Sequence, residues 1–235
     1  APVRAISDNP DAVFDYTSKG NLVAVISNGS AILGMGNLGA LASKPVMEGK
    51  AVLFKRFADI DSIDLEIDSA DPNEIINSIK NFAPSFGGIN LEDIAAPDCF
   101  IIEKELKQKL DIPVFHDDQH GTAIITTAAI INAVDIAKKN LKKIKIVING
   151  AGAAAMACAK LFRSTGIPKN NIKMLDTKGV INKNRKDINS WKKEFAVETN
   201  DKNLDDAMKN ADVFLGLSAA GVVNKSMVKK MAKNP

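Results

Sequence analysis

Residues 143–162 read KIKIVINGAGAAAMACAKLF. Apolar residues crowd Ile144–Ile148, two glycines stand at Gly150 and Gly152, and small residues follow as far as Cys158. A buried strand, a glycine turn and a helix in that order form the opening half of a βαβ unit. Glycines there let the backbone approach a pyrophosphate, and the helix N-terminus supplies N–H donors and a partial positive charge. The cradle is Gly150, Ala151, Gly152 and Ala153, and the pattern Gly150-x-Gly152-x-x-Ala155 fits it. Downstream, IKMLDTKG predicts a second strand ending at Asp176, where a carboxylate can bond a ribose hydroxyl. ADVFLGLSAAG (211–221) predicts a third, with a glycine-rich exit. The fold class is α/β, with a Rossmann-like doubly wound parallel sheet in the second half, read as binding a dinucleotide rather than as a tight turn without a ligand.

Working toward the N-terminus, strands and helices keep alternating. NLVAVISNGSAILG (21–34) predicts two strands around an Asn28-Gly29 turn. KPVMEGKAVLFKRF (44–57) predicts a helix with Pro45 in its first turn. SIDLEI predicts a half-buried strand, and Asp71-Pro72 starts a helix reaching about Phe82. FGGINLED gives a short strand ending in Glu92 and Asp93, CFIIEKELKQKL a helix, and IPVFHDD a strand ending in Asp117 and Asp118. A long apolar helix follows Gly121. The boundary is placed there, with residues 1–121 as one α/β domain, 122–235 as the dinucleotide domain and the long helix as connector. A second glycine pattern, Gly34 to Gly39, lacks an acidic strand end and predicts a tight turn lining a cleft.

Composition limits the partners. The chain has 235 residues, 46% hydrophobic and 25% charged, with a net charge of +3. That balance suits a globular protein with no nucleic-acid partner. Lys138, Lys139, Lys142, Lys143 and Lys145 are read as a solvated helix end. No apolar run reaches the roughly 18 residues of a membrane span, and no secretory leader is recognised. Cys99 and Cys158 have no CxxC partner, which favours a reducing, cytoplasmic compartment.

Glu92, Asp93, Asp117 and Asp118 should meet at one sheet edge, because strand C-termini in a parallel sheet share it. Gathered carboxylates repel unless cations intervene, and hard oxygens suit Mg²⁺ or Mn²⁺. The alternative is that the acids cap the helices after them. On a strand, Asp117 and Asp118 face opposite ways and take different roles. Both histidines, His116 and His120, flank these acids. They stand four apart, but the segment opens with a strand and no Glu follows His116, so they do not make a zinc HExxH helix and are read as holding the loop. Lys50 interrupts an apolar stretch: burial would lower its pKa and make it a base, unless it snorkels to water.

The stretches SNGSAILGMGNLGALASKPVMEGKAVLFK, FGGINLEDI, PVFHDDQHGTA, NGAGAAAMAC and ADVFLGLSAAG together resemble the malic enzyme family, closest to its short bacterial form. The resemblance runs over essentially the whole chain in the same order. It implies oxidative decarboxylation of malate to pyruvate and CO₂, reduction of NAD or NADP, a divalent Mg²⁺ or Mn²⁺, and a homodimer or higher assembly. It implies that Lys50 is the general base with Asp117 beside it, that Glu92, Asp93 and Asp118 are metal ligands, and that Gly150 to Ala153 form the phosphate loop. The family's general-acid tyrosine has no match here, since Tyr16 aligns elsewhere, and its C-terminal asparagine motifs lie past MAKNP; a longer parent chain is expected. Ala31 stands where larger members carry a malate-gripping arginine. Two alternatives stay open, a malolactic enzyme and a non-catalytic nucleotide-binding module. For the dinucleotide, Asp176 favours NAD, while Lys178, Lys183, Arg185 and Lys186 oppose it and favour NADP.

Overall fold

The computed structural model describes residues 1–235, which divide into two compact units, Ala1–Asp117 and Asp118–Pro235. In the first, helices α1 (Pro2–Asp8) and α2 (Val13–Tyr16) precede β1 (Leu22–Ser27), α3 (Ala40–Ala58), β2 (Asp61–Glu66), α4 (Pro72–Phe82), β3 (Gly88–Leu91), α5 (Asp98–Lys109) and β4 (Val114–His116). Helix α6 (Asp117–Ile136) then leads to β5 (Ile146–Asn149), α7 (Ala153–Ser164), β6 (Ile172–Asp176), β7 (Gly179–Val180), α8 (Ser190–Lys193), α9 (Leu204–Ala207), β8 (Val213–Gly216) and α10 (Lys225–Lys229). No helix is long and apolar enough to cross a membrane.

The first sheet has the order β2-β1-β3-β4, and every pairing is parallel. The central strand β1 is therefore occupied on both edges, and the hairpin predicted around Asn28-Gly29 does not form. Residues after the turn close instead through an Ile32–Gly36 bridge, with Gly34 and Gly36 at φ of 76° and 77°. That left-handed backbone is natural for glycine, so the tight turn read into this motif is present. Helix α3 starts at Ala40, five residues before Pro45, which lies inside it. Its buried positions near the start are Ala40, Ser43 and Met47. Small residues hid that face from the hydrophobic pattern. Pro45 lacks the N–H that would bond the Leu41 carbonyl, so the break falls in the helix's opening turns. Helix α4 begins as expected: Asp71 accepts the Asn73 N–H, Pro72 takes the first position, and Ile75, Ile76 and Ile79 are buried.

Register decides what meets at the edge of this sheet. Ile26 pairs with Leu91, and Leu91 with His116. Strands β3 and β4 end level, so the residues just beyond them emerge side by side. They are Glu92-Asp93 and Asp117-Asp118. The latter pair does not extend the strand; it opens α6. The two side chains therefore diverge by a helical step of about 100° rather than a strand's alternation. Acidic residues suit a helix N-terminus because they face its partial positive charge.

The second sheet has the order β7-β6-β5-β8. Strands β6, β5 and β8 are parallel, and the short β7 adds an antiparallel edge. Because β5 has β6 on one side and β8 on the other, the chain order reverses at β5. The crevice beyond its C-terminal end is where ligands bind in such sheets. Ile146, Ile148, Phe162 and Met174 form a fully buried core beneath it. The lysine cluster is less free than its pattern suggests. Lys139 lies 2.6 Å from Asp212, whose other oxygen accepts the Lys145 N–H at 2.8 Å. Asp212 thereby ties the start of β5 to the start of β8.

Candidate active site

Helix α3 carries Lys50 in its interior, and the side chain is only 23% exposed. Its Nζ donates to Asp117 Oδ2 at 2.8 Å and lies 3.2 Å from Glu92 Oε2. Burial alone would lower the Lys50 pKa, as the sequence led us to expect. The Asp117 hydrogen bond and the Glu92 charge outweigh it and hold the ammonium above the ordinary lysine value. The lysine neither snorkels into water nor stands alone in an apolar pocket; it is fixed between two strand ends.

Glu92 and Asp93 are buried, 6% and 3% exposed. One carboxylate oxygen from each of Glu92, Asp93 and Asp118 falls within 4.8 Å of the others. A common ion at about 2.0–2.6 Å from each oxygen fits that spacing. Burying carboxylates together is costly without cations among them, and Lys50 supplies one positive charge. The donor set is all hard oxygen, so the residues fit Mg²⁺ or Mn²⁺ better than a soft metal. Asp93 has φ of 52°, a left-handed conformation that costs a non-glycine residue energy. Its carbonyl accepts the Ala31 N–H at 2.9 Å, which anchors the loop after β1 to the carboxylate loop. His116 is fully buried at the end of β4, and His120 lies in the first turn of α6.

At the edge of the second sheet, the two glycines of the cradle have different causes. Gly150 has φ of 137°, and a Cβ there would meet the Leu217 carbonyl oxygen at 2.3 Å. Its glycine is required by the protein's own backbone. A Cβ on Gly152 would meet nothing within 4 Å. Gly152 caps helix α7 without any side-chain hydrogen bond, so open space lies beside N–H donors. That arrangement fits a dinucleotide phosphate. Asn149 Nδ2 donates to Ser218 Oγ at 2.7 Å, joining the ends of β5 and β8 at this crevice.

Asp176 ends β6 as predicted, but it is already engaged. Its Oδ1 accepts from Arg185 Nη1 at 2.7 Å and from the Lys178 N–H at 3.0 Å. Its Oδ2 accepts from Arg185 Nη2 at 3.1 Å and Lys192 Nζ at 2.8 Å. Burial would raise this carboxyl, yet Arg185 and then Lys192 bring it down to about 2. Asp187 pairs with Arg185 and with Lys178 at 3.1 Å. Lys183 instead lies 3.5 Å from Glu198, away from this cluster.

Sequence reasoning missed Asn90, Asn149, Lys192 and Ser218. Asn90 alone left a signal, a polar residue two positions before Glu92 in an apolar strand. Lys192 reaches Asp176 from sixteen residues away through α8, which no short spacing announces.

Family models named "Malic enzyme, N-terminal domain" and "Malic enzyme, NAD binding domain" match residues 4–107 and 119–235. An NADP-dependent malic enzyme of Rhizobium meliloti (strain 1021) is 60% identical over 235 residues, all of this chain and 31% of that protein. An NAD-dependent malic enzyme of the same organism is 52% identical over 236 residues, again the whole chain and 31% of the relative. The chain thus spans about a third of the length of these relatives. The crystal structure of an NAD-dependent malic enzyme from Thermotoga maritima superposes with a TM-score of 0.94 at 41% identity, covering 99% of this chain and 63% of that one. With both family models matched in order and the carboxylate and glycine motifs folded at their sheet edges, the chain belongs to the malic enzyme family.

Proposed function

We propose that the protein to which this chain belongs oxidatively decarboxylates malate to pyruvate and CO₂, with NADP preferred over NAD and a Mg²⁺ or Mn²⁺ ion required. The observation that carries the reading is Lys50 Nζ held between Asp117 and Glu92, with Asp93 and Asp118 beside them. Glu92, Asp93 and Asp118 would hold the cation. When bound, it supplies Lewis-acid stabilisation of negative charge developing on substrate oxygen. Lys50 accepts the C2 hydroxyl proton as hydride leaves C2 for the dinucleotide. For that step Nζ must be neutral; burial favours the neutral form, while Asp117 and Glu92 oppose it. Asp117, 2.8 Å from Nζ, would take the proton onward. Residues 1–121 would form the catalytic and metal-binding half, and 122–235 the dinucleotide half, with Gly150 to Ala153 on the pyrophosphate.

The NADP preference rests on Asp176. A carboxylate saturated by Arg185, Lys192 and the Lys178 N–H is a poor acceptor for ribose hydroxyls. Arg185, Lys192 and Lys178 outnumber Asp176 and Asp187 by one charge, which favours a 2′-phosphate. Assembly into a homodimer or higher is part of the proposal. Helix α3 leaves Leu53 and Phe57, one turn apart, exposed, apolar side chains suited to burial against another copy. The test is made on the full-length protein with malate, Mn²⁺ and either dinucleotide. Pyruvate and reduced NADP are expected in equal amounts. Lactate with no reduced dinucleotide would instead identify a malolactic reaction and overturn the proposal. Light scattering reads the assembly.

A further inference from the structure

Asn90 is out of place as a core residue. It sits in the central strand β3 between Ile89 and Leu91, with Val25 and Phe115 as its neighbours in register, and it is 3% exposed. A branched apolar side chain would suit such a site, whereas a buried amide must find partners or lose stability. Its Nδ2 donates to Glu92 Oε2 at 3.0 Å. The two residues are two apart, so the pleat puts them on one face. The same Oε2 lies 3.2 Å from Lys50 Nζ.

We infer that Asn90 is a positioning residue for the cation site: with Lys50, it fixes Glu92 Oε2 and so sets the direction of the whole carboxylate toward Asp93 and Asp118. This inference rests on the metal site proposed above. Two donors on one oxygen stop the carboxylate from rotating about its last bond. Its other oxygen is then aimed before any ion arrives, and the ordering cost is met on folding rather than on binding. Lys50 cannot do this alone, because a long ammonium side chain follows a moving partner, whereas the Asn90 amide is held by a central strand. Residues that orient a ligand in this way commonly change metal affinity by about 10–100-fold when removed.

The experiment measures Mn²⁺ binding to the full-length protein by electron paramagnetic resonance, without substrate or turnover. Wild type is compared with Asn90→Leu, Glu92→Ala and the double variant. If Asn90 acts through Glu92, Asn90→Leu raises the Mn²⁺ dissociation constant at least about tenfold, and by less than about twofold in the Glu92→Ala background, since coupled residues are not additive. Equal factors in the two backgrounds, or an unchanged constant in folded Asn90→Leu, overturn the inference and leave the metal site standing. A wild-type protein that binds no Mn²⁺ overturns both. Should Asn90→Leu fail to fold, Asn90→Ser is measured against the same thresholds.

Discussion

The two sheet edges use the same element, a carboxylate just beyond a parallel strand, in opposite ways. At the first edge, Glu92 and Asp117 flank Lys50, and Glu92 gathers with Asp93 and Asp118. Acidic charge there exceeds what that lysine supplies, which is why a further cation is proposed for it. At the second edge, Asp176 is surrounded by Arg185 and Lys192, with Lys178 on Asp187. Its acidity is spent inside the protein, and the excess is basic. A strand-end carboxylate therefore does not announce its ligand. The charges that the neighbouring helices and loops bring to it decide whether it receives a cation or makes way for an anion.

The contrast breaks most visibly at Lys50. In the full-length enzyme, Lys50→Ala should lower kcat by roughly 10²–10⁴, the usual worth of a positioned base, with Mn²⁺ affinity changing far less. Near-normal kcat with lost nucleotide binding would move Lys50 from the cation edge to the dinucleotide. Arg185→Ala comes next. Removing it frees part of the Asp176 charge, and the kcat/KM ratio of NADP over NAD should fall about tenfold, equivalent to about 1.4 kcal/mol. If the ratio is unmoved in both Arg185→Ala and Lys192→Ala, the neutralised acid is not the cause of any preference. The two glycines sharpen the comparison within one loop. Gly150→Ala should cost stability on the order of 1–3 kcal/mol in a melting experiment, because its backbone conformation and the Leu217 carbonyl exclude a Cβ. Gly152→Ala should leave melting nearly unchanged and weaken NADP binding; equal melting losses in both would remove the ligand-based reading of Gly152. The smallest effect is one of pH. Asp176 has a pKa of about 2 in the folded protein, below the unfolded value of about 3.9. Its contribution is fully present above pH about 4 and is lost as the pH falls toward 2. The stability difference between wild type and Asp176→Asn should be constant above that window and shrink within it; a difference unchanged down to pH 2 would show that the pairing adds nothing.

Strongly periodic features were legible in the sequence. The Gly150–Asp176 unit, the capped start of α4 and the carboxylates after β3 and β4 all follow from local pattern. What escaped was set by distant partners or by small side chains. The hairpin at Asn28 fails because β2 and β3 arrive from later in the chain and occupy both edges of β1. Helix α3 starts early on Ala40 and Ser43, which carry almost no hydrophobic signal. Helix α6 begins at Asp117 because the strand ends with its last register partner, His116. The direction of the Lys50 shift depended on two carboxylates 42 and 67 residues away, so burial alone gave the wrong sign.

The level ending of β3 and β4 has a consequence for how such a chain can vary. Leu91 and His116 are register partners, and the acids on both sides are counted from them. One residue inserted between Val114 and His116 would carry His116 into the position of Asp117, and one deleted there would carry Gln119 into the position of Asp118. The same change in the turn between α5 and β4, residues 110–113, leaves that count intact. The turn can therefore change length without disturbing the acids, whereas the segment from Val114 to Asp118 acts as a ruler whose units cannot be altered one at a time.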